Sequence, residues 1–414
     1  MSSINFMKLF HGSLRRRFLL FFLAFLLVLV LVLVHPAIAT VRRRPQPSGE
    51  LRGVWLTNID SEVLFSRSKL SEGLQKLKRL NFNTVYPTVW NWGYTLYPSP
   101  VAQRTFGRSL DPAPGLQRRD MLQEIVRQGH QLQMGVIPWF EFGFMAPADS
   151  DLARRHPDWL TQRSDGSQIW MEGTHPRVWL NPYHPQVQQF MLDLILEIVT
   201  RYDVDGIQFD DHFGLPVEFG YDVLTQDLYR RSHAGKAPPS DFKDAEWKRW
   251  RADQLTQFLT RVFRAVKARK PNVLIALAPN PQDFSYHQAL ADWQTWERQG
   301  LIEELIIQVY RNDFERFRTE LQRPEVQAAR KHIPTGIGIL TGLKNKPIAS
   351  EQVRRQVEEA RKQGFVGVSF FFFETLWGHR VSSPQSSERS LFQDLFPNSR
   401  RRPTLADYSS QSRT

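Results

Sequence analysis

Eight short apolar runs that alternate with seven amphipathic stretches from Leu51 onward predict a (β/α)8 TIM barrel. A second observation supports this fold class: polar side chains follow the apolar runs at their carboxyl ends, which meet at one mouth of such a barrel. The region of alternating strands and helices is longer than the roughly 250 residues typical of the fold. We therefore predict long βα-loop insertions, Phe140–Leu180 after strand 3 and Phe213–Asp241 after strand 4.

The predicted strands are rich in β-branched and aromatic residues, and the predicted helices show a period near 3.6. The strands are Gly53–Thr57, Thr84–Val89, Met134–Trp139, Gly206–Phe209, Val273–Ala278, Leu305–Val309, Gly336–Leu340 and Gly367–Phe372. The helices are Lys69–Leu80, Arg119–Gly129, Pro185–Tyr202, Phe242–Arg269, Tyr286–Gln299, Asp313–Arg330 and Ser350–Gln363. An open, doubly wound sheet is the structural alternative, but Thr57–Asp60 is not the glycine-rich phosphate turn that it would need after strand 1.

The composition excludes several kinds of chemistry. The chain has 414 residues and no cysteine, so disulfides, thiolate nucleophiles and cysteine-ligated metals are excluded. The net charge of +12 comes from scattered basic residues rather than a stripe, and no nucleic-acid-binding module is visible. We predict no nucleic-acid partner; the charge indicates either an ordinary basic surface or a preference for an anionic polymer or membrane surface.

The first 39 residues have the pattern of an export signal. Lys8 and the cluster Arg15–Arg17 precede the apolar run Phe18–Val34, and Ala37–Ala39 is a small-x-small cleavage pattern. A cleaved signal peptide and a retained anchor both fit, because the apolar run is near the short limit of about 17–25 residues for a membrane span. In either case the rest of the chain is expected outside the cytoplasm.

Four segments are predicted on this basis: a signal peptide or anchor at 1–39, a linker at 40–50, the barrel domain at 51–397 and a disordered tail at 398–414. The expected location is periplasmic or extracellular. Where the signal is retained, a tether through residues 18–34 would hold the domain at the outer face of the cytoplasmic membrane.

The segment Tyr202–Pro216 reads as a buried parallel strand whose carboxyl end opens into a polar pocket. Three titratable residues, Asp210, Asp211 and His212, follow the strand directly, and such a run suits chemistry better than a core. The ends of the other strands and the segment before the third predicted helix add candidates. They are Trp90, Trp139, Glu141, Asn181, Asn280, Gln308, Tyr310, Arg311 and Glu374.

This mixture of acids, amides and aromatic rings suits sugar polymers. Cleavage of a glycosidic bond needs two carboxyl groups, one to protonate the leaving oxygen and one to attack or to activate water. We predict Asp210 or Asp211 as one member of the pair, Glu141 as the other and Glu374 as the reserve. The remaining candidates would hold sugar rings. No metal site and no cofactor is predicted, since consecutive residues rarely ligate one ion together.

Each candidate also has a structural interpretation. Either aspartate can cap the next element or pair with an arginine, and Glu141 can be a buried hydrogen-bond acceptor. Glu374 can pair with Arg380. His212 can be a hydrogen-bonded loop residue, and the tryptophans can pack at the rim. Asn181 with Pro182 is also an ordinary helix-start signal.

Several motifs resemble the glycosyl-hydrolase-like family ten of bacterial exported proteins. They are LRGVWLTNID, FNTVYPTVWNWGYTLYPS, GVIPWFEFG, WLNPYHPQVQQFMLDLILEIVTRYDVDGIQFDDHF, LIIQVYR and GVSFFFFETLW. The resemblance implies a TIM-barrel catalytic domain and glycan hydrolysis; some relatives act on peptidoglycan glycan strands stripped of stem peptides. The family motif positions are occupied here by Asn181, Asp205, Asp210, Asp211, Gln308 and Tyr310.

This chain departs from the family pattern at one place. Relatives commonly have Asn-Pro-Tyr where Glu141–Gly143 stands, which marks either a non-catalytic Glu141 or a subgroup with a different second carboxylate. The Asp-Gly-Ile core also resembles chitinase-type barrels, but His212 occupies the place of their acid. Two alternatives to an acid-base glycosidase therefore stay open: a non-catalytic glycan-binding barrel and a metal-dependent hydrolase of a different bond.

Overall fold

The computed structural model describes residues 49–379, 390–404 and 407, and it contains eight parallel strands arranged around a barrel. In sequence order the barrel strands β1 to β8 are Leu51–Leu56, Thr84–Pro87, Gly135–Val136, Gly206–Phe209, Leu274–Leu277, Glu304–Gln308, Thr335–Leu340 and Gly367–Phe371. Each strand pairs with its sequence neighbour except at the step from β3 to β4, and β8 pairs with β1. This order confirms the predicted TIM barrel and excludes the doubly wound alternative.

The barrel closes between β3 and β4 through residues that follow β3. Trp139 forms parallel bridges to Thr88 and Gln208, and the Phe140 amide donates to the Gln208 carbonyl at 2.9 Å. The predicted strand Met134–Trp139 is wrong in length, since only Gly135–Val136 pairs regularly. Pro138 explains the interruption, because proline has no amide hydrogen to donate to a sheet.

The helices surround the barrel and cover its outer face. In order, α1 to α13 are Arg67–Arg79, Pro100–Phe106, Met121–Gln131, Asp151–Arg155, Pro185–Arg201, Val223–Ser232, Ala245–Arg269, Gln282–Ala289, Trp293–Arg298, Phe314–Leu321, Pro324–His332, Ser350–Lys362 and Leu391–Leu395. Short 3-10 helices cover Pro114–Leu116, Pro157–Trp159, Asp211–Phe213 and Phe373–Gly378. No described helix is long and apolar enough to cross a membrane; the apolar run at 18–34 lies outside the described residues.

Two predicted helices are each split in two. The predicted Tyr286–Gln299 is α8 and α9, because Leu290 adopts a left-handed φ of 55° that ends α8. Asp292 then caps α9 by accepting from the Thr295 amide. The predicted Asp313–Arg330 is α10 and α11, since Pro324 fits only the first turn of a helix.

The insertions lie on the mouth side of the barrel, after the carboxyl ends of the strands. The insertion after β3 forms a three-stranded antiparallel sheet of Met145–Pro147, His175–Trp179 and Trp170–Glu172. The insertion after β4 carries α6. Two small hairpins that were not predicted follow β2 and β7; their strands are Trp90–Asn91, Tyr94–Thr95, Gly342–Leu343 and Lys346–Pro347.

The opposite end of the barrel is closed by the chain that follows α13. The Asn398 carbonyl accepts from Arg52 at 2.6 Å, and the Arg400 carbonyl accepts from Asn83 at 3.0 Å. Arg402 inserts its guanidinium beside Glu304, whose other oxygen accepts from the Tyr86 hydroxyl at 2.9 Å. The prediction of a disordered tail is therefore wrong for residues 398–404, because a buried carboxylate at the barrel base requires a cation.

Arg402→Ala is expected to lower the free energy of unfolding by about 3 kcal/mol, because it leaves the charge of Glu304 buried and unpaired. Urea denaturation followed by circular dichroism measures the change. Arg400→Ala is the matched control, since its side chain is exposed and only its backbone carbonyl is used. Equal stability of the two variants would contradict a role for the buried pair.

Candidate active site

Asp210 lies at the carboxyl end of β4 and is almost fully buried, with 3% of its surface exposed. Its Oδ2 accepts from the Trp139 indole at 3.2 Å. Its Oδ1 accepts from the backbone amide of His212 at 2.9 Å and lies 3.1 Å from that residue's Nδ1. The carboxylate thus caps the short helix Asp211–Phe213, as its structural interpretation expected, and it is also held in one orientation at the barrel mouth.

His212 is held against this carboxylate and is 32% exposed at its side chain. Burial opposes a positive charge on the ring, but the carboxylates of Asp210, Glu172 and Asp211 outweigh it and raise the pKa of His212 to about 9. At neutral pH the ring is therefore an imidazolium, whose Nδ1 donates to Asp210.

Glu141 follows β3 and is also buried, with 8% of its surface exposed. Its Oε2 accepts from the Thr88 hydroxyl at 3.0 Å and from the Asn91 amide at 2.8 Å. Burial, and next the negative charge of Asp210, raise the pKa of Glu141 to about 8. At neutral pH Glu141 therefore carries a proton, and Oε1 is the oxygen left to hold it.

Gly143 allows the loop after β3 to press against the loop after β4. It has a left-handed φ of 48°, and a Cβ at this position would lie 2.2 Å from the His212 carbonyl oxygen. The Phe144 amide donates to the same oxygen at 2.8 Å. A side chain at this position would push the two loops apart. Gly143, in the segment that differs from the family pattern, therefore allows Glu141 to lie near Asp210.

Tyr310 follows β6 and faces the two acids. Burial raises its pKa, and the charges of Asp210 and Glu141 raise it further, which places the phenol near both carboxyl groups. Its hydroxyl is buried and has no hydrogen-bond partner among the described residues. A buried hydroxyl without a partner is uncommon in proteins, so the Tyr310 hydroxyl is an unused donor near the two acids.

Asp211 faces a different direction from Asp210. Its Oδ2 accepts from the backbone amide of Asn280 at 2.9 Å and from the side-chain amide at 2.6 Å. Its Oδ1 accepts from the Ser285 hydroxyl at 2.5 Å. Burial raises its pKa. With three donors bound, Asp211 ties the loop after β4 to α8 and orients Asn280, so Asp210 is the better partner for Glu141.

A cavity of about 420 Å³ opens beside Asp210. Its polar lining comes from Asp210, Asp211, His212, Glu218, Asn280, Gln288 and Gln308. Its apolar lining comes from Trp170, Trp179, Pro216, Val217, Phe284 and Ala289. Flat apolar side chains beside acids and amides are the lining that a sugar ring requires.

Phe284 and Trp170 were not among the predicted site residues. Phe284 is 50% exposed and stands on α8, while Trp170 packs edge-on against Trp179 in the insertion after β3. Neither directly follows a strand of the barrel, where polar candidates were predicted. Their exposure at a cavity could be found only from coordinates, because core and cavity aromatics look alike in a sequence.

Several predicted site residues lie away from this cavity. Trp90 is fully buried, donates to the Gly143 carbonyl at 2.9 Å and packs on Phe190, so the prediction that it holds a sugar ring is wrong. Asn181 is also buried, and its amide donates to Asp222 at 2.8 Å. These two side chains hold the framework together.

Three other candidates occupy different positions. Trp139 is 3% exposed and orients Asp210 rather than offering a face to a sugar. Arg311 pairs with Glu320 at 3.1 Å on α10. Glu374 accepts from Ser61 at 2.8 Å and lines two other cavities, so the structure does not bring it to the cavity beside Asp210. Its predicted partner Arg380 lies outside the described residues.

Across the described ranges 49–379 and 390–404, no group of three or more histidine, aspartate or glutamate side chains is placed to hold a metal ion. Asp205, which occupies a family motif position, lies at the other end of β4. It accepts from the Val136 amide at 2.7 Å and contacts His130 at 3.0 Å. Its role is therefore to join β3 to β4.

A TIM barrel with acids at its mouth is the architecture of many glycoside hydrolases, and solved structures share the fold. The glycoside hydrolase domain of PgaB (BpsB) from Bordetella bronchiseptica matches with a TM-score of 0.59 and 14% identity, covering 80% of this chain and 96% of that domain. The catalytic domain of a β-amylase from Paenibacillus polymyxa matches with a TM-score of 0.56 and 11% identity, covering 84% and 97%.

Residues 50–358 match the family model described as Glycosyl hydrolase-like 10, and the chain belongs to this family. The glycosyl hydrolase DigH of Escherichia coli K12 is 26% identical over 315 residues, which cover 66% of this chain and 67% of DigH. The glycosyl hydrolase YngK of Bacillus subtilis is 24% identical over 329 residues, covering 70% and 59%. The predicted family is confirmed.

Proposed function

We propose that the protein is a glycoside hydrolase that cleaves a polysaccharide by acid-base chemistry. The observation that carries this is the pair formed by Glu141 and Asp210 at the barrel mouth. The charge of Asp210 helps to raise the pKa of Glu141 to about 8, so one carboxyl group holds a proton beside another that lines the cavity. Two carboxyl groups in such different environments are the requirement for breaking a glycosidic bond.

In this mechanism Glu141 is the general acid. Its proton passes to the oxygen that joins the two sugars as the bond to the anomeric carbon breaks. Asp210 faces the positive charge that develops on the ring and either attacks the anomeric carbon or activates a water molecule. The imidazolium of His212 and the indole of Trp139 hold Asp210 in place. The unpartnered hydroxyl of Tyr310 donates to the bound sugar.

The substrate class we propose is a cell-wall glycan, with peptidoglycan glycan strands stripped of their peptides as the first candidate. The family resemblance supports it, as does the export pattern in residues 1–39, which would place the domain outside the cytoplasm or tether it there through residues 18–34. The aromatic lining of the cavity fits a polymer of sugar rings.

The test uses purified protein beginning at Val41 and a panel of glycans: peptide-free peptidoglycan strands, chitin oligosaccharides and cellulose oligosaccharides. Release of new reducing ends, followed by mass spectrometry, is the expected result with at least one of them. Activity that is lost in EDTA and restored by a divalent ion would indicate a metal-dependent hydrolase instead. Binding without release of any ends would indicate a glycan-binding barrel.

Tyr310→Phe is expected to lower the activity without lowering the stability of the fold. Removal of a buried hydroxyl without a partner leaves the free energy of unfolding unchanged or raises it by about 1 kcal/mol. Loss of the donor to the sugar lowers kcat/KM about tenfold. Urea denaturation and steady-state kinetics measure the two effects.

The control is Tyr86→Phe, whose hydroxyl is also buried but donates to Glu304 at 2.9 Å at the barrel base. It should lose stability and keep its kcat/KM. The proposed role of Tyr310 is contradicted if both tyrosine variants lose stability and keep full activity.

A further inference from the structure

The base of the barrel carries a band of exposed basic side chains. All the barrel strands run from the base to the mouth, so the helix before each strand ends at the base. In the part of the chain that the structure describes, α1, α5, α7, α9, α11 and α12 each have an exposed lysine or arginine in the last turn. Together with an exposed arginine of the tail they form the basic face: Arg79, Arg201, Arg269, Arg298, Lys331, Lys362 and Arg400.

Acids do not balance the charge of the basic face. In the described segments that join these helix ends to the next strands, Asp203 is the only acid whose side chain is mostly exposed, at 88%. Glu50 is bound by two arginines, and Glu303 is bound by Lys267. Basic residues are common in the last turn of a helix because they stabilise its dipole. The dipole accounts neither for Arg400 nor for the scarcity of exposed acids, so the base has a net positive charge.

Contacts around the base join the members of the basic face into one surface. Arg269 at the end of α7 donates to the Thr200 hydroxyl of α5 at 2.9 Å. Arg361 at the end of α12 donates to the Leu395 carbonyl at 2.7 Å, just before the tail crosses the base. Among the described residues, the exposed large apolar side chains lie on the mouth side, in segments that follow the strands. The basic face is therefore a charged surface rather than an apolar one.

The chain also enters the barrel at this face. The Glu50 amide donates to the Arg401 carbonyl at 3.2 Å, which places the start of the barrel beside the tail. The sequence before it contains Arg42–Arg44 and, further upstream, the apolar run 18–34 that is predicted as a signal or anchor. The segment 35–48 between that run and the barrel spans at most about 50 Å. A retained anchor would therefore keep lipid headgroups within reach of the basic face.

We propose that the basic face docks the barrel on an anionic lipid bilayer, so that the mouth, at the opposite end, faces away from the membrane. The negative potential of anionic headgroups attracts basic side chains over about one Debye length, roughly 10 Å at 0.1 M salt. Since the face offers charge and no apolar side chain for insertion, the contact is reversible and depends on salt. This binding surface does not depend on the proposed glycosidase function.

The test uses protein beginning at Val41, which omits the apolar run and retains the compact unit that starts at Pro47. Sedimentation with vesicles measures binding to phosphatidylcholine alone and to an equal mixture of phosphatidylcholine and phosphatidylglycerol. We expect binding only to the anionic mixture, and its loss in about 1 M salt, where the Debye length is about 3 Å. The triple variant Arg79→Ala, Lys331→Ala, Lys362→Ala should bind about 100-fold more weakly, since each basic residue near the surface contributes about fivefold.

The matched control removes three exposed lysines on the mouth side: Lys69→Ala, Lys236→Ala and Lys243→Ala. It has the same net charge as the first triple variant and should bind as the wild-type protein does. Equal affinity of the two triple variants, or equal binding to neutral and anionic vesicles, would overturn the proposal. Binding to soluble polyglutamate without binding to anionic vesicles would also overturn it and would indicate a polymer partner instead.

The orientation can be measured with single labels, because the chain has no cysteine. Ser399→Cys places a fluorescent label at the base, and Lys344→Cys places one on the hairpin after β7 at the mouth. A quencher attached to the lipid headgroups should reduce the fluorescence of the label at 399 much more than that of the label at 344. Equal quenching, or stronger quenching at 344, would overturn the proposed orientation.

Discussion

Replacing Asp210 with asparagine is expected to lower kcat/KM by about 10³- to 10⁴-fold on every glycan that the protein cleaves. The amide can neither attack the anomeric carbon nor take a proton from water, and it does not balance the charge that develops on the sugar ring. The loss should be equally large for natural oligosaccharides and for nitrophenyl glycosides, because both need this group in the transition state. Initial rates measured with both substrates give the two values of kcat/KM.

The fold should tolerate the change, because asparagine has nearly the same volume and its carbonyl oxygen can still accept from the His212 amide. Asp292→Asn is the matched control: Asp292 is 5% exposed, caps α9 and pairs with Arg249 on the outside of the barrel. It should lose stability and keep its kcat/KM. Wild-type activity in Asp210→Asn would refute the proposed mechanism.

The fold could be predicted because the spacing of hydrophobic residues identifies the strands and helices, and the polar residues after the strands mark the barrel mouth. β4 has the predicted bounds Gly206–Phe209, and the residues after it fall at the mouth as expected. Errors arise where a local residue overrides the period. Leu290 adopts a left-handed conformation and Pro324 interrupts a helical pattern, so two predicted helices became four. Periodicity alone does not show such breaks.

The acidic residues of the site could be predicted from the sequence, but the aromatic residues that line it could not. Polar residues that follow parallel strands converge at one mouth of a barrel, so the grouping of Asp210, Glu141 and Tyr310 could be predicted. The sequence does not distinguish a tryptophan that stacks on a sugar from one that packs in the core, and Trp90 proved to be fully buried. Nor could it separate Asp210 from Asp211, because the difference lies in the donors of a distant loop, Asn280 and Ser285.

The base of the barrel shows a further limit of sequence reasoning. A polar, basic tail has the composition of a disordered segment. Glu304 makes part of it ordered, since a carboxylate buried at the barrel base stabilises the guanidinium of Arg402 next to it. Composition describes a segment in isolation, and this pairing joins residues that are 98 positions apart.

Glu141→Gln is expected to lower kcat on oligosaccharides by about 10²- to 10³-fold and to have little effect on nitrophenyl glycosides. A sugar leaves poorly without a proton, whereas nitrophenolate leaves readily on its own. The variant retains an acceptor oxygen for Thr88 and Asn91, so the site should keep its geometry. Glu359→Gln is the matched control, because Glu359 is also 8% exposed but lies on α12.

The pH dependence gives an independent readout of the same group. The pKa of Glu141 is about 8 in the folded protein, above its ordinary value of 4.5, so the folded state binds the proton more tightly than the unfolded state. The free energy of unfolding should therefore fall as pH rises from about 4.5 through 8, and the variant should lose that part of the dependence. The kcat of the wild-type protein on oligosaccharides should fall above pH 8 as the acid loses its proton.

His212, with a pKa of about 9, adds a loss of stability as pH rises from its ordinary value through 9, which Glu141→Gln should retain. Replacing Asp210 should affect both kinds of substrate, whereas replacing Glu141 should affect only the substrate with the poor leaving group. These two patterns identify the group that attacks or activates water and the proton donor independently. If Glu141→Gln and Glu359→Gln have the same kcat on oligosaccharides, Glu141 is not the general acid. The proposed pair of Glu141 and Asp210 would then be refuted.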